Sequence, residues 1–340
     1  MTNKRIGRQT VALHNRPSII AAATTVGPKE GEGPLAHFFD KILTDDLYEE
    51  NSWELSESKM LRETIKTAIQ KADKNITDIE YLLSGDLLNQ LMAASFAARD
   101  LDIPFLGLYG ACSTMAQSLS LGAMLIDGGY ASHVVAATSS HFSSAERQFR
   151  FPLELGNQRA LTAQWTVTGS GAAVLASQGE GPALTHVTTG KVIDLGIKDA
   201  NNMGAAMAPA AADTIVTHFN ETGFKPEDYD LIVTGDLGTI GKSIVEELVY
   251  EKGYNIVKVF NDCGVMIFDN ALQDTHAGGS GCGCSAAVFC GYIYKELMKM
   301  NLSRILFIAT GALLSSTSAQ QGQSIPAIAH AVRITNISDD

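Results

Sequence analysis

The sequence has little proline, few cysteines and no long uncharged apolar run. It contains 9 prolines and 5 cysteines in 340 residues, and the cysteines lack the spacing pattern of a disulfide-stabilised scaffold. We therefore expect a protein kept in a reducing compartment. No stretch reaches the roughly 18–20 uncharged apolar residues that a membrane-spanning helix needs. The residues after the basic N-terminus also lack the continuous apolar core of a signal peptide.

Positive charge is also scarce. The chain has 25 Lys and Arg against 37 Asp and Glu, a net charge of −12, and a surface of that sign repels polyanions. We therefore expect no nucleic-acid partner. Cys-x-x-Cys pairs, His-Glu-x-x-His and EF-hand loops are missing, so we expect no metal site and no cofactor. The 45% apolar residues and 31 glycines are typical of a globular chain with a large core.

The chain contains two similar halves. Residues 63–87 and 213–237 match at an offset of 150, and each predicts an amphipathic helix, a polar loop and an apolar strand ending in Gly-Asp. Residues 111–139 match residues 283–311 at an offset of 172, and each predicts a helix of small residues with Cys at its start, followed by a buried strand. Few residues are identical, and chance is the alternative, but agreement in order, spacing and element type favours an internal duplication.

The duplication predicts an α/β fold in five layers. Alternating helices and strands favour right-handed crossovers, and the small-residue helices that follow Cys112 and Cys284 suit burial between two sheets. Two halves, residues 1–175 and 176–340, would then pack back to back in an αβαβα arrangement, with Cys112 opposite Cys284.

The chain resembles thiolases and ketoacyl synthases in this duplication, in Ala-Cys-Ser at a helix start, in strand 168–176 and in the Gly-rich stretch 278–287. More narrowly, it is similar to the stage V sporulation protein AD family of spore-forming bacteria, including the unusual stretches 259–286 and 309–332. The resemblance implies a thiolase-like fold that binds dipicolinic acid (pyridine-2,6-dicarboxylic acid), with or without calcium, for loading into the developing spore. It also implies a homodimer that is peripherally associated with the cytoplasmic side of the forespore or spore inner membrane, beside membrane proteins of the same operon.

Cys112 is the strongest candidate for a site residue. A thiol at a helix start lies at the positive end of the helix dipole, which by itself lowers the pKa of the thiol and favours thiolate. The resemblance implies that Cys112 matches the nucleophile of condensing enzymes. The alternative is a small buried apolar residue, because free cysteine is often buried. Cys284 is a weaker candidate, since thiolase-like folds seldom place the nucleophile at that helix start.

Two departures from the condensing-enzyme pattern argue against catalysis. The resemblance implies a His on one loop of the second half and an Asn or His on another, but Asp236 and Gly283 stand at these positions. A carboxylate cannot donate a hydrogen bond to an enolate oxygen at neutral pH unless its pKa is strongly raised. Asp236 also mirrors Asp86, so a shared role in forming a turn is the alternative for this residue.

We therefore interpret the protein as a non-catalytic binding protein for dipicolinate. Backbone N–H groups at the helix start of Cys112 and in the Gly-rich loop 278–283 would hold the carboxylates, and the thiol would stay neutral. The candidate ligand-binding residues are Cys112, Ser113, Asp236, His276, Cys282 and Gly283. Two other readings stay open: an acyl-transferring condensing enzyme that uses Cys112, and a structural partner of a membrane channel with an empty pocket.

Three arginines are further candidates, because a planar guanidinium suits a dicarboxylate. Arg147, Arg150 and Arg159 precede the strand 168–176. An ordinary surface or dimer-interface role is the alternative. We expect His133 and His218 to be structural, since they lie on a predicted strand and an amphipathic helix.

Overall fold

A computed structural model describes residues 4–149 and 159–336, so the candidate Arg150 lies outside the described residues. The strands are β1 (Thr10–Ala12), β2 (Ser18–Val26), β3 (Lys41–Ile42), β4 (Tyr81–Gly85), β5 (Phe105–Gly107), β6 (His133–Ser140), β7 (Trp165–Thr166), β8 (Gly169–Ala176), β9 (Ala183–Thr188), β10 (Leu231–Thr234), β11 (Phe260–Asp262), β12 (Gly279–Ser280), β13 (Arg304–Ala312) and β14 (Ala327–Thr335). The helices are α1 (Trp53–Lys71), α2 (Met92–Leu101), α3 (Thr114–Asp127), α4 (Phe142–Phe149), α5 (Met203–Thr222), α6 (Gly238–Glu251), α7 (Cys263–Ile267), α8 (Cys282–Ala287), α9 (Tyr294–Met298) and α10 (Ser316–Gln320), with a π-helical segment (Val288–Ile293) between α8 and α9.

Ten of the strands form two five-stranded sheets with the same internal order, and β7 pairs with β12 in a separate two-stranded sheet. One runs β2-β8-β6-β4-β5 and the other β9-β14-β13-β10-β11, and the two are joined where Ser18 pairs with Ala183. Numbered along the chain, both sheets have the order 1-5-4-2-3, and in both the last strand pairs antiparallel with its two neighbours. The internal duplication is therefore confirmed at the level of topology. The division between residues 175 and 176 stays a prediction, and the short β1 pairs with β9 across it.

Helices cover both faces of each sheet, which confirms the five layers. On the outer faces, α1 and α2 pack against the first sheet, and α5 and α6 pack against the second. Between the sheets, α3 contacts strands of both. The π-helical segment also reaches the second sheet, where the rings of Phe289 and Phe307 lie 4.7 Å apart.

Small residues permit this close central packing. A Cβ at Gly171 of β8 would lie 2.4 Å from the backbone oxygen of Ala286 in α8, so only glycine fits there.

Within residues 4–149 and 159–336, no helix is long and apolar enough to cross a bilayer.

Candidate functional site

A tight turn presents Cys112 at the start of α3. Ala111 adopts φ +49°, a left-handed conformation that is uncommon for a residue with a Cβ. Two side-chain hydroxyls hold the turn: Ser113 donates to the carbonyl of Gly110 at 2.6 Å, and Thr114 donates to that of Ala111 at 2.7 Å. Ser113 is thus bonded within its own turn, and Cys112 is the residue that the turn directs towards open space.

A cavity opens beside Cys112. The space between its lining residues is about 590 Å³ when the open solvent at its mouth is included. The apolar wall is formed by Leu87, Tyr109, Ala111, Ala145, Phe149, Ala200, Met203, Ala312 and Leu314. The polar lining residues are Cys112, Glu146, Thr166 and Ser280. No Lys or Arg of the described residues lines the cavity.

Asp236 fixes the Gly-rich loop against Cys112. Its buried carboxylate accepts hydrogen bonds from Thr310 Oγ1 at 2.8 Å, from the Gly281 amide at 3.0 Å and from Ser280 Oγ at 3.3 Å. Gln164 strengthens the same junction, because its side-chain amide donates to the backbone carbonyl of Asp236 at 2.6 Å. The carboxylate therefore ties the end of β10 to β13 and to the loop before α8.

The thiol of Cys112 keeps its proton in this environment. Burial raises the pKa of the Cys112 thiol well above its ordinary value, and the charge and hydrogen bonding of Asp236 raise it further. Burial also raises the pKa of Asp236 to about 6, although the hydrogen bonds from Cys112, Thr310 and Gly281 oppose that shift. The helix start by itself would lower the pKa of this thiol, but burial and the neighbouring carboxylate outweigh the helix dipole.

The two symmetry-related aspartates have different partners. Asp86 accepts two backbone N–H groups, both at 2.7 Å, in the turn that leads to α2. In the second half this task belongs to Asp262, which accepts the N–H of Leu237 at 2.8 Å and that of Gly238 at 2.9 Å, just before α6. Asp236 is thereby free to face Cys112, so the shared turn-forming role does not hold.

Cys282 and Gly283 begin the central helix next to the cavity. The Cys282 thiol donates to the carbonyl of Ser139 at 2.9 Å, and it packs in a small cluster with Cys112. The Gly283 amide donates to Ser140 Oγ at 3.0 Å. The predicted candidates Cys112, Asp236 and Cys282 therefore come together. Cys284 is buried in the central core instead.

His276 and the described arginines lie outside the cavity lining. His276 Nδ1 lies 2.8 Å from the carbonyl oxygen of Ala160, and Nε2 lies 3.1 Å from the Asp274 carboxylate. Arg159 donates to that same carboxylate at 2.9 Å. Arg147 pairs with Glu54. The ligand-binding role of His276 stays a prediction, and its position places it in a separate cluster.

Sequence reasoning missed Thr310, Glu146 and Asp262 as residues of the site. The internal repeat could have indicated Thr310, because it aligns this residue with Thr138. The Thr138 hydroxyl donates to the carbonyl of Gly85 at the matching strand end. The sequence contains no signal for Glu146, because only the fold brings α4 over the cavity.

No group of three or more His, Cys, Asp or Glu within residues 4–149 and 159–336 is placed to hold a metal ion.

Comparison with known proteins supplies a family. The sequence model for Stage V sporulation protein AD matches residues 7–335. The curated Stage V sporulation protein AD of Bacillus subtilis (strain 168) is 46% identical over 329 residues, which cover 97% of each chain.

Solved structures agree with the fold. The 3-oxoacyl-[acyl-carrier-protein] synthase III of Aquifex aeolicus VF5 gives a TM-score of 0.56 at 12% identity, over 94% of this chain and 99% of that one. An OleA variant of Xanthomonas campestris with cerulenin gives a TM-score of 0.60 at 13% identity, over 95% of this chain and 97% of that one. Both confirm the thiolase-like fold, and at these identities they carry nothing about chemistry.

Proposed function

Because the chain belongs to the stage V sporulation protein AD family, we propose that it is a non-catalytic sporulation protein that binds dipicolinic acid, alone or as its calcium chelate, in the cavity at Cys112. The observation that carries this proposal is the state of the thiol. A largely apolar cavity ends at a cysteine that burial and Asp236 keep protonated, which suits a neutral contact and not a nucleophile.

The cavity walls suit a flat aromatic acid. Side chains such as Tyr109, Phe149 and Met203 offer apolar surface to a pyridine ring, while the Thr166 hydroxyl in the cavity wall offers a donor to a carboxylate. Asp236 and Glu146 add acidic groups to the site. A ligand carboxylate is therefore favoured there when Asp236 takes up a proton or when calcium reduces the ligand's charge.

The second candidate function is acyl transfer, which the placement of Cys112 in a synthase-like fold favours. Incubating the wild-type chain with acyl-coenzyme A should leave its intact mass unchanged, because a protonated thiol is a weak nucleophile. A stable acyl adduct located on Cys112 would overturn the non-catalytic proposal.

Replacing Asp236 with Asn should make Cys112 more reactive. The substitution removes the negative charge that opposes thiolate formation, and we expect alkylation of Cys112 by iodoacetamide at pH 8 to accelerate by about tenfold, which corresponds to roughly one unit of thiol pKa. Peptide mass spectrometry assigns the label to Cys112. Glu146→Gln removes another carboxylate of the same cavity and is the matched control. Equal alkylation rates in Asp236→Asn and the wild type would show that burial alone protects the thiol.

We also propose a homodimer formed through β5, working beside membrane proteins of the same operon. β5 is the edge of the first sheet; Leu106 in this strand and Tyr109 two residues after it are 43% and 47% exposed. An open edge of this kind pairs readily with another strand. Because Tyr109 also lines the cavity, a partner would cover part of the site.

Light scattering at micromolar concentration should give twice the 36.2 kDa chain mass. Leu106→Lys should shift the protein towards monomer by placing a charge in the interface, whereas Ile240→Lys, on the exposed surface of α6, should not. A wild-type protein that is monomeric throughout this range would contradict the dimer.

A further inference from the structure

The indole ring of Trp165 carries an aromatic ring on one face and two cations on the other. Phe142 stacks on it with 3.8 Å between ring centroids and 6° between the planes. Lys29 Nζ and Arg159 Cζ lie 4.3 and 4.8 Å from the indole centroid. Because the stacked Phe142 ring leaves no room on its own face, both cations lie over the opposite face.

Carboxylates of the described residues balance the positive charges of Lys29 and Arg159 only in part. Lys29 Nζ donates to the carbonyl of Gln273, and among the residues that the structure describes it has no carboxylate partner. The Arg159 side chain is 9% exposed, and its Nη2 donates to Asp274. Its Nη1 is buried and has no hydrogen-bond partner in the described part of the chain. Asp274 is itself shared with His276, so one carboxylate serves two side chains.

The carboxyl group next to Lys29 in sequence does not supply the missing charge. Glu30 is buried and accepts the backbone N–H of Thr168 at 3.0 Å. Burial raises the pKa of Glu30 to about 8, so this group is neutral at pH 7. The cluster of Lys29, Arg159, Asp274 and His276 therefore keeps an excess of positive charge on a chain that is acidic as a whole.

The cation pair is separate from the cavity at Cys112. Trp165 and Thr166 form β7, which pairs with β12, and successive residues of a strand face opposite sides. Thr166 lines the cavity, so Trp165 and the cations over it lie on the other side of this two-stranded ribbon.

We propose that Lys29 and Arg159 form a second anion site, which binds the carboxylate or phosphate group of a small molecule. An ammonium and a planar guanidinium with a free N–H are the donors that such oxyanions accept. The bound group would satisfy the unpaired Nη1 of Arg159 and would bridge the two cations. This site is independent of the ligand proposed for the cavity.

Tryptophan fluorescence can test the site directly, because the chain has only 2 tryptophans. In a Trp53→Phe background, Trp165 is the sole emitter and lies against both cations. Titration with inorganic phosphate or with citrate, at ionic strength held constant with sodium chloride, should change its emission with saturation. Saturation by phosphate, by citrate or by both supports the site, and the relative affinities identify the preferred oxyanion.

Lys29→Gln and Arg159→Gln should each weaken the response at least tenfold. Arg147→Gln is the matched control, because it also removes one positive charge but alters an arginine that lies outside this cluster and is already paired with Glu54. Circular dichroism checks that each variant is folded, and Lys29→Gln alters a partly exposed side chain if Arg159→Gln fails to fold. A linear or absent response to both anions, or an undiminished response in Lys29→Gln, would overturn the proposal.

Discussion

Dipicolinate should bind the wild-type chain up to about 100-fold more weakly at pH 8 than at pH 6. The pKa of Asp236 in the ligand-free protein is about 6, and a ligand carboxylate next to this residue would raise it further. At pH values below 6 Asp236 is protonated with or without ligand, so the affinity is constant there. At higher pH the ligand-free form loses a proton that the bound form keeps, so each further pH unit lowers the affinity for dipicolinate about tenfold.

Calorimetry between pH 5.5 and 8 measures this dependence, and repeating it in two buffers of different ionisation enthalpy counts the protons taken up. In Asp236→Asn the dissociation constant should no longer change with pH, because an amide does not titrate. Added calcium should reduce the pH dependence of the wild type, since the chelate carries less charge. An equally strong pH dependence in Asp236→Asn, or a wild-type affinity that does not change with pH, would show that the ligand does not bind next to Asp236.

Replacing Cys112 with Asp should abolish dipicolinate binding at pH 8, whereas Cys112→Ser should retain much of it. Cys112 is 7% exposed, so the new carboxylate would stand in the cavity beside Asp236 and would repel the ligand. Serine keeps the size and the neutral hydrogen-bonding capacity of the thiol. One buried donor left unpaired costs about 1–3 kcal/mol, about 5- to 150-fold in dissociation constant.

Dissociation constants from calorimetry decide this comparison, and thermal unfolding shows whether each variant is folded. If Cys112→Asp is unfolded, Cys112→Met tests the same cavity with a bulky neutral side chain and should also bind weakly. Binding of Cys112→Asp at wild-type strength would place the ligand elsewhere and refute the site assignment.

The fold could be predicted because its signals are local and occur twice. Helical and strand periodicities are readable in short windows, and the recurrence of Gly85-Asp86 at Gly235-Asp236 marked equivalent strand ends. The identical order of the two sheets follows from that repeat.

The partners of the aspartates could not be predicted in the same way. Asp236 faces Cys112 because Thr310 and Gly281 donate to it and because Asp262 takes over the turn before α6. Thr310 and Gly281 lie 74 and 45 residues away from Asp236 in sequence, and only the packed sheet brings them together. Local pattern shows an acidic strand end but not the direction of its side chain.

The thiol pKa shows why a local rule failed. A helix dipole contributes about 0.3–1 kcal/mol at exposed positions, which is less than one unit of pKa. Burial of Cys112 and the charge of Asp236 act in the opposite direction, and neither is visible in the residues next to Cys112. His276 is a similar case, since its left-handed backbone, φ +53°, and its contact with Asp274 depend on the path of the loop.

A crystal structure of the protein with dipicolinate tests the central claim most directly. We expect one molecule per chain in the cavity at Cys112, with its ring against the wall that contains Tyr109 and Phe149 and with a carboxylate near the Cys112 thiol. An empty cavity in crystals that hold dipicolinate elsewhere, for example over Lys29 and Arg159, would contradict the account.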